Sequence, residues 1–540
     1  MYLWPMRQPP AYTFWLCLLA FGLLLLVSNH STLLWDQDEA AYAGMARNMV
    51  ESGDWLTQEF IWSEIHRKPP WHLWAVAASF QVFGANEFAL RLPGTLALLG
   101  VFCLLWWAFP KNWRHLGPWA AMIVAASFFA PILGKIALTD GWLLLWETIC
   151  LIALWRLFAD EKVGLWLVYF WGGIAMGVLT KGPSILLSVG MACFMLLVLH
   201  PQRRRIWRLH SWFGLPLALV PLLLWGYFSW QRDDGQMINW MLDWYILKRT
   251  GGTVLGQSGP PGYYAATLLV AFLPFAQRLI PAIGRWIKEI RQKQPDALFW
   301  LSWLIGSWLL WELIPSKLPA YAIGAHPAIA ILLAQQLSVP RSGRPQQKAG
   351  LILQTTLTLA LVVVLCGGSI YLWQWSGIGW VLLASVAILL ALLGPQIWEH
   401  PLGSRLQIGG AMGFMLILWL GLMPKIDALR EAPIKVLQYL QNFSPEQTTI
   451  VLANVQGRPP SLPFYLGQTF DRFLEERDPQ TLAALYMSKR PMAFLLTDAQ
   501  YEQMRQFEPN LAKPAVFDLF SSDRIEGNAY YVLLNEAATQ

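Results

Sequence analysis

Residues 11–39 read AYTFWLCLLAFGLLLLVSNHSTLLWDQDE, an apolar run that ends in an acidic cluster. Residues 12–27, extended by Ser28 and Asn29, are about long enough to cross a hydrocarbon core of roughly 30 Å as a helix. Asp36, Asp38 and Glu39 follow, and a charged loop containing Arg67-Lys68-Pro69-Pro70 comes next. Charge set just outside a span points to a reaction centre at the lipid–water boundary. The segment before the run holds only Arg7, and no A-x-A-like site precedes the acids, so a retained first helix is expected rather than a cleaved signal.

The pattern repeats down the chain. Of 540 residues, 56% are hydrophobic and 13% charged, about half the charged share of a soluble domain, so an all-α polytopic membrane protein is expected. Further runs at 90–109, 117–134, 141–158, 164–179, 184–199, 213–230, 262–280, 297–314, 321–337, 350–373, 377–396 and 407–423 bring the expected spans to about thirteen. Alternate connectors carry Lys111 and Arg114, Arg156 and Lys162, Arg203-Arg204-Arg205 with Arg208, Arg278 with Arg285 and Lys288, Arg341 with Arg344, and Arg405. Positive charge marks the cytoplasmic side. The N-terminus is then cytoplasmic, while the first loop, residues 135–140, Lys181, residues 231–261, Ser316-Lys317 and everything after about residue 424 lie outside. The net charge of +6 is thus a topology signal, and no nucleic-acid partner is expected. All five cysteines sit inside apolar runs, which supports neither a disulfide framework nor a thiolate metal site.

Two regions depart from the pattern. In the first outer loop, residues 30–89, the segment 39–50 carries Tyr42, Met45, Ala46 and Met49 at helical spacing, and 71–83 is apolar but too short to span. Both read as helices lying in the membrane interface. After the transmembrane region 1–423, residues 424–540 read as a small α/β extracytoplasmic domain. Its strands are expected at 448–455, 492–496 and 530–534, and its helices at 478–489 and 498–507, opened by capping aspartates. No catalytic constellation shows in it.

Charges inside spans are few, Glu147 being the clearest, whereas the outer ends collect Asp36, Asp38, Glu39, His66, Arg67, Lys68, Lys135, Asp140, Lys181, Lys248, Arg249, Lys317 and Tyr321. Carboxylates and cations in one mouth suit a displacement at an anionic substrate, in which a carboxylate orients or deprotonates the nucleophile and cations neutralise a departing phosphate. Asp36-Gln37-Asp38 has the spacing of a metal-binding D-x-D, with His66 and His72 in the same loop, which leaves a divalent metal open. Structural roles compete for each residue. Asp38 and Glu39 suit the first turn of a helix, Lys68 suits lipid headgroups, and Lys181 and Lys317 suit lysines snorkelling at span ends.

Three motifs in order carry a family resemblance. Trp35-Asp36-Gln37-Asp38-Glu39 running to Lys68-Pro69-Pro70, then Leu179-Thr180-Lys181-Gly182-Pro183, then Ser316-Lys317-Leu318-Pro319-Ala320-Tyr321 resemble bacterial lipid A aminoarabinose transferases and related protein-mannosyltransferase-like enzymes over residues 30–330. The resemblance implies a GT-C glycosyltransferase that moves a sugar from a polyprenyl monophosphate, undecaprenyl or decaprenyl phosphate, to lipid A, another envelope glycan or a protein outside the inner (cytoplasmic) membrane. A monomer is expected. By position, Asp38 corresponds to the family's catalytic aspartate and Asp140 to its second acid, while Lys68, Arg249 and Tyr321 correspond to groups holding the carrier phosphate, with Lys248 the alternative to Arg249. Glu39, Lys181 and Lys317 are additional candidates. Arg67 stands where the aminoarabinose transferases have Glu, so a metal ligand used there is missing. The competing class is a flippase or transporter of lipid-linked sugars. It would set ionisable groups near the midplane and as a rule carry internal repeats, neither of which the sequence displays.

Overall fold

The computed structural model describes residues 11–35, 37–61, 63–159, 163–244, 258–337, 345–373, 377–397, 402–443, 447–453, 460–467, 472–518 and 529–539. Among the described residues, ten α-helices lead up to residue 242: α1 (Ala11–Leu26), α2 (Asp38–Ser52), α3 (Trp71–Phe83), α4 (Glu87–Trp107), α5 (Gly117–Ala125), α6 (Thr139–Phe158), α7 (Val163–Lys181), α8 (Ser184–Leu199), α9 (Ser211–Asp233) and α10 (Gln236–Leu242). Among the described residues, six helices are long and apolar enough to cross a membrane, or seven if the bent pair Tyr263–Ala271 and Leu273–Arg291 forms one span. The chain is a multi-pass membrane protein.

Several expected spans are shorter or broken, for local reasons. The run at 117–134 stops as a helix at Ala125, where the Phe128 amide turns to the Ala271 carbonyl at 2.8 Å and Pro131 cannot continue the ladder. The run at 262–280 bends by 76° across Phe272-Leu273-Pro274. The run at 297–314 opens into a π-turn at Ile305–Leu309, where Gly306 lies against the Ser188 carbonyl of α8 with no room for a Cβ.

The two outer-loop helices form as expected, but their surroundings differ. Tyr42, Met45, Ala46 and Met49 are all buried in a cluster with Leu73, Val76 and Phe80 of α3 and with Phe464 and Tyr465 of the tail. The apolar stripe of α2 is therefore covered by protein. Gly53 ends α2 with a left-handed φ of 73°, its amide reaching the Met49 carbonyl, a conformation that favours glycine. Asp54 then caps the next turn through the Leu56 amide at 2.9 Å. This gives the Ser52-Gly53-Asp54 stretch a structural role.

In the tail, five strands form one sheet in the order β2-β1-β3-β5-β4: β1 (Thr449–Leu452), β2 (Phe473–Glu475), β3 (Met492–Leu496), β4 (Ala515–Asp518) and β5 (Ala529–Leu534). β1 pairs parallel with β2 and β3, whereas β5 pairs antiparallel with β3 and β4. Asp478 caps the helix Pro479–Tyr486 as expected. The helix Asp498–Phe507 is instead capped by Thr497, in a reciprocal box with Gln500, so the capping residue lies one position earlier than expected.

Candidate active site

Asp38 begins α2 and faces a group of donors. The His66 Nδ1 lies 3.0 Å from its Oδ1, the Tyr42 hydroxyl donates to it at 3.3 Å, and the Lys68 ammonium is 3.4 Å away. Lys68 also donates to the Tyr42 hydroxyl. Burial alone would raise the Asp38 carboxyl, but the Lys68 charge and the His66 hydrogen bond outweigh it and hold the group well below the usual carboxylate range. The side chain nonetheless keeps 46% of its surface open, so the carboxylate is charged and reachable.

Lys68 is held at its own backbone. The side-chain amide of Gln58, fully buried, accepts from the Lys68 amide at 2.9 Å and donates to the Lys68 carbonyl. Arg67 donates to the Gln58 carbonyl at 2.9 Å. Pro70 then starts α3, with no capping side chain needed for its first turn. Gln58 carries no sequence signal, because it stands ten residues away in a loop with no motif to mark it.

The second motif meets the first. Lys181 ends α7 and Gly182, at φ 61°, turns the chain so that a Cβ there would lie 3.8 Å from Pro69. The Lys181 ammonium pairs with Asp140 at 2.6 Å and sits 4.9 Å from the centre of the Tyr321 ring. Asp38 is near enough to add to the field on Lys181. Thr180 of the same motif accepts from the Trp146 indole at 3.1 Å and serves packing. Thus Asp38, Lys68, Asp140, Lys181 and Tyr321 are gathered at one mouth of the bundle.

Other candidates are placed elsewhere. Glu39 is fully buried in a two-pronged pair with Arg91, at 2.8 and 3.0 Å, and accepts from the amides of Trp35 and Ala137. No lone pair faces the mouth, so the geometry makes Glu39 scaffold. Lys317 is buried against Glu312, whose carbonyl it reaches at 2.7 Å and whose carboxylate lies 3.5 Å away. Glu312 in turn accepts from the amides of Tyr264 and Ala265 at the start of the helix Tyr263–Ala271, which makes Lys317 a brace for that helix. Lys135 donates to the Val27 carbonyl and stacks over Trp419; burial and the nearby Arg91 push it down to about 7. Lys248, Arg249 and Asp36 lie outside the described residues. Among the described residues no group of three or more His, Cys, Asp or Glu side chains is gathered to hold a metal; Asp38 is instead met by Lys68, His66 and the Tyr42 hydroxyl.

The bundle of apolar helices thus carries two aspartate–lysine pairs at one mouth and is followed by a small α/β tail. The fold matches the crystal structure of ArnT from Cupriavidus metallidurans in the apo state, at TM-score 0.75 and 21% identity over 98% of this chain and 99% of that one. It also matches the same protein bound to undecaprenyl phosphate, at TM-score 0.73 and 20% identity over the same shares. Residues 67–228 match the family described as dolichyl-phosphate-mannose-protein mannosyltransferase. Among relatives, an undecaprenyl phosphate-alpha-4-amino-4-deoxy-L-arabinose arabinosyl transferase of Sodalis glossinidius is 27% identical over 59% of this chain. The match spans 58% of that relative's own length. One of Erwinia tasmaniensis is 26% identical over 75% of this chain and 70% of its own. The resemblance carried by the three motifs is borne out.

Proposed function

We propose that this chain is an inverting glycosyltransferase that moves a sugar from a polyprenyl-phosphate carrier to a cell-envelope acceptor at the outer face of the inner membrane. The observation that carries the reading is the joining of Asp38–Lys68 to Asp140–Lys181 at one mouth. The relatives' names make undecaprenyl phosphate the carrier of choice and an aminoarabinose the first sugar to test, with lipid A the first acceptor.

In the reaction the anomeric C–O bond to phosphate breaks with its electron pair leaving on the phosphate, and the acceptor oxygen forms the new bond from the opposite face. The carrier goes from one negative charge to two. Two lysines, each balanced by one aspartate before the donor arrives, are suited to take up that added charge, and fixed cations placed where charge develops usually contribute most to such catalysis. Asp38 would orient the acceptor. While Lys68 and His66 hold it, it is a weak base; a phosphate that draws Lys68 toward itself removes the charge that depresses Asp38 and raises its basicity. An acceptor that is already an ionised phosphate needs no proton removed, and Asp38 then acts by position.

The basic connectors support a cytoplasmic N-terminus and a tail outside. Reporter fusions near residues 205 and 288 should then report the cytoplasm, and those near 60 and 480 the outside. Mass analysis of envelope lipids and glycans from cells with and without the gene tests the activity. A sugar missing from one acceptor supports it, whereas an identical glycan profile under conditions that express the protein overturns it.

A further inference from the structure

The backbone N–H and C=O groups of residues 33–35, just before Asp38, are all paired. From within the bundle, Arg91 donates to the Leu33 carbonyl at 3.0 Å, the Trp35 amide donates to Glu39 at 2.8 Å, and the Ala40 amide closes on the Trp35 carbonyl at 3.1 Å. The remaining three groups are held from the other end of the chain. The Leu33 amide donates to Asp427 at 3.3 Å, the Leu34 amide to the Tyr465 hydroxyl at 3.0 Å, and Arg430 donates to the Leu34 carbonyl at 2.7 Å. The Arg430 guanidinium also lies 4.4 Å from the centre of the Trp35 ring. Tyr465 is itself oriented, since its hydroxyl donates to Glu87 at the start of α4 at 2.9 Å.

The clamp faces a strained joint. Gln37, the residue before Asp38, has φ 44° and ψ −68°, a conformation unfavourable for a non-glycine residue that persists only where its surroundings over-determine it. Relaxing Gln37 would swing the start of α2, and with it the Asp38 carboxylate, relative to Lys68. A docking contact alone would not need to consume the backbone of this one tripeptide.

We propose that Asp427, Arg430 and Tyr465 are positioning residues for Asp38: the segment after residue 424 completes the active site by holding the 33–35 backbone and thereby enforcing the Gln37 joint. This rests on the proposed transferase function, and it gives the tail a part in turnover without any group of its own touching substrate.

The test uses the full chain in lipid nanodiscs, with undecaprenyl phosphate as the binding probe and undecaprenyl-phosphate-linked aminoarabinose with lipid A for turnover. Tyr465→Phe removes one hydroxyl and keeps the packed ring. Its kcat should fall about tenfold, in keeping with the cost of small misplacements at a reacting centre, while the Kd for undecaprenyl phosphate stays within about twofold. In an Asp38→Asn background the same change should cost less than about twofold, because residues acting through one another are not additive. Arg430→Gln should repeat the pattern. An unchanged kcat, a Kd that weakens as much as kcat falls, or a full tenfold loss persisting in Asp38→Asn would each overturn the proposal. Amide hydrogen exchange separates this from failure of the transferase reading. Where the wild-type chain turns over no such donor, faster exchange confined to residues 34–41 in Tyr465→Phe still supports the clamp, and unaltered exchange there refutes it.

Discussion

Asp38 and Glu39 are neighbours in the first turn of one helix, yet they live in different physical worlds. Glu39 and Arg91 are both completely buried, and every strong acceptor direction of the Glu39 carboxylate is taken by Arg91 or by a backbone amide. Asp38 meets Lys68 at a longer 3.4 Å, with its side chain 46% exposed. A buried, saturated pair organises a chain; a partly exposed pair is within reach of a ligand. The Lys181–Asp140 pair, short at 2.6 Å and largely buried, lies nearer the closed kind, as does Lys317 against Glu312.

The largest effect should come from breaking the closed pair. Arg91→Ala leaves the Glu39 charge uncompensated and also strips the carbonyls of Asn29, Thr32 and Leu33 of their donor. Removing one partner of a buried ion pair costs about 3–5 kcal/mol, so the variant should be lost from detergent extracts as folded, monodisperse protein. Recovery of wild-type amounts at wild-type melting temperature would contradict the structural role.

Lys68→Ala opens the other pair and should leave folding intact. Charge-assisted hydrogen bonds to phosphate contribute about 1.5–3 kcal/mol each, so binding of undecaprenyl phosphate should weaken by roughly tenfold to a hundredfold. Equal affinity in titration against the wild type would remove Lys68 from the phosphate site.

A smaller effect concerns pH. The folded Asp38 carboxyl is depressed, so the stability it contributes is present above its ordinary value of 3.8 and is lost only as pH falls through the lower native value. The ligand-free protein should show no titration of Asp38 between about pH 5 and 8. His72 behaves in the same sense for a different reason. Burial first, and the Lys68 charge second, push it down to about 3 from 6.5, so its neutral form favours the folded state fully above 6.5 and that contribution fades as pH drops toward 3. His72→Phe should flatten the acid side of a melting-temperature profile, with donor affinity within about twofold of wild type. An unchanged acid slope would show that His72 titrates normally.

Much of this was readable from sequence. The acidic cluster, the three motifs and the basic connectors each sit in short stretches, and short stretches carry their own signal. Residues 492–496 form a strand with the expected limits and residues 498–507 a helix, because a short apolar run and a helix start are both local signals. What stayed hidden depends on separation. Arg91 is 52 residues from Glu39, and Tyr465 is 431 from Leu34, and no periodicity links positions so far apart. The partners that cover the apolar stripe of α2 stayed hidden for the same reason, since such a stripe reads alike whichever distant element packs on it. The bend at Phe272-Leu273-Pro274 and the π-turn beside Ser188 are set by helices pressing on one another. Local hydropathy is blind to that.

The open carboxylate works, on this reading, and the closed one only supports. That division is tested most directly by turnover of purified Asp38→Asn with saturating undecaprenyl-phosphate-linked aminoarabinose and lipid A, beside a melting curve of the same sample. The charge that orients the acceptor is lost while size is kept, and a misplacement of about 1 Å at a reacting centre costs about 10²-fold. Turnover should fall by at least about a hundredfold at an unchanged melting temperature. Near-wild-type turnover would contradict the division and shift the role to Asp140.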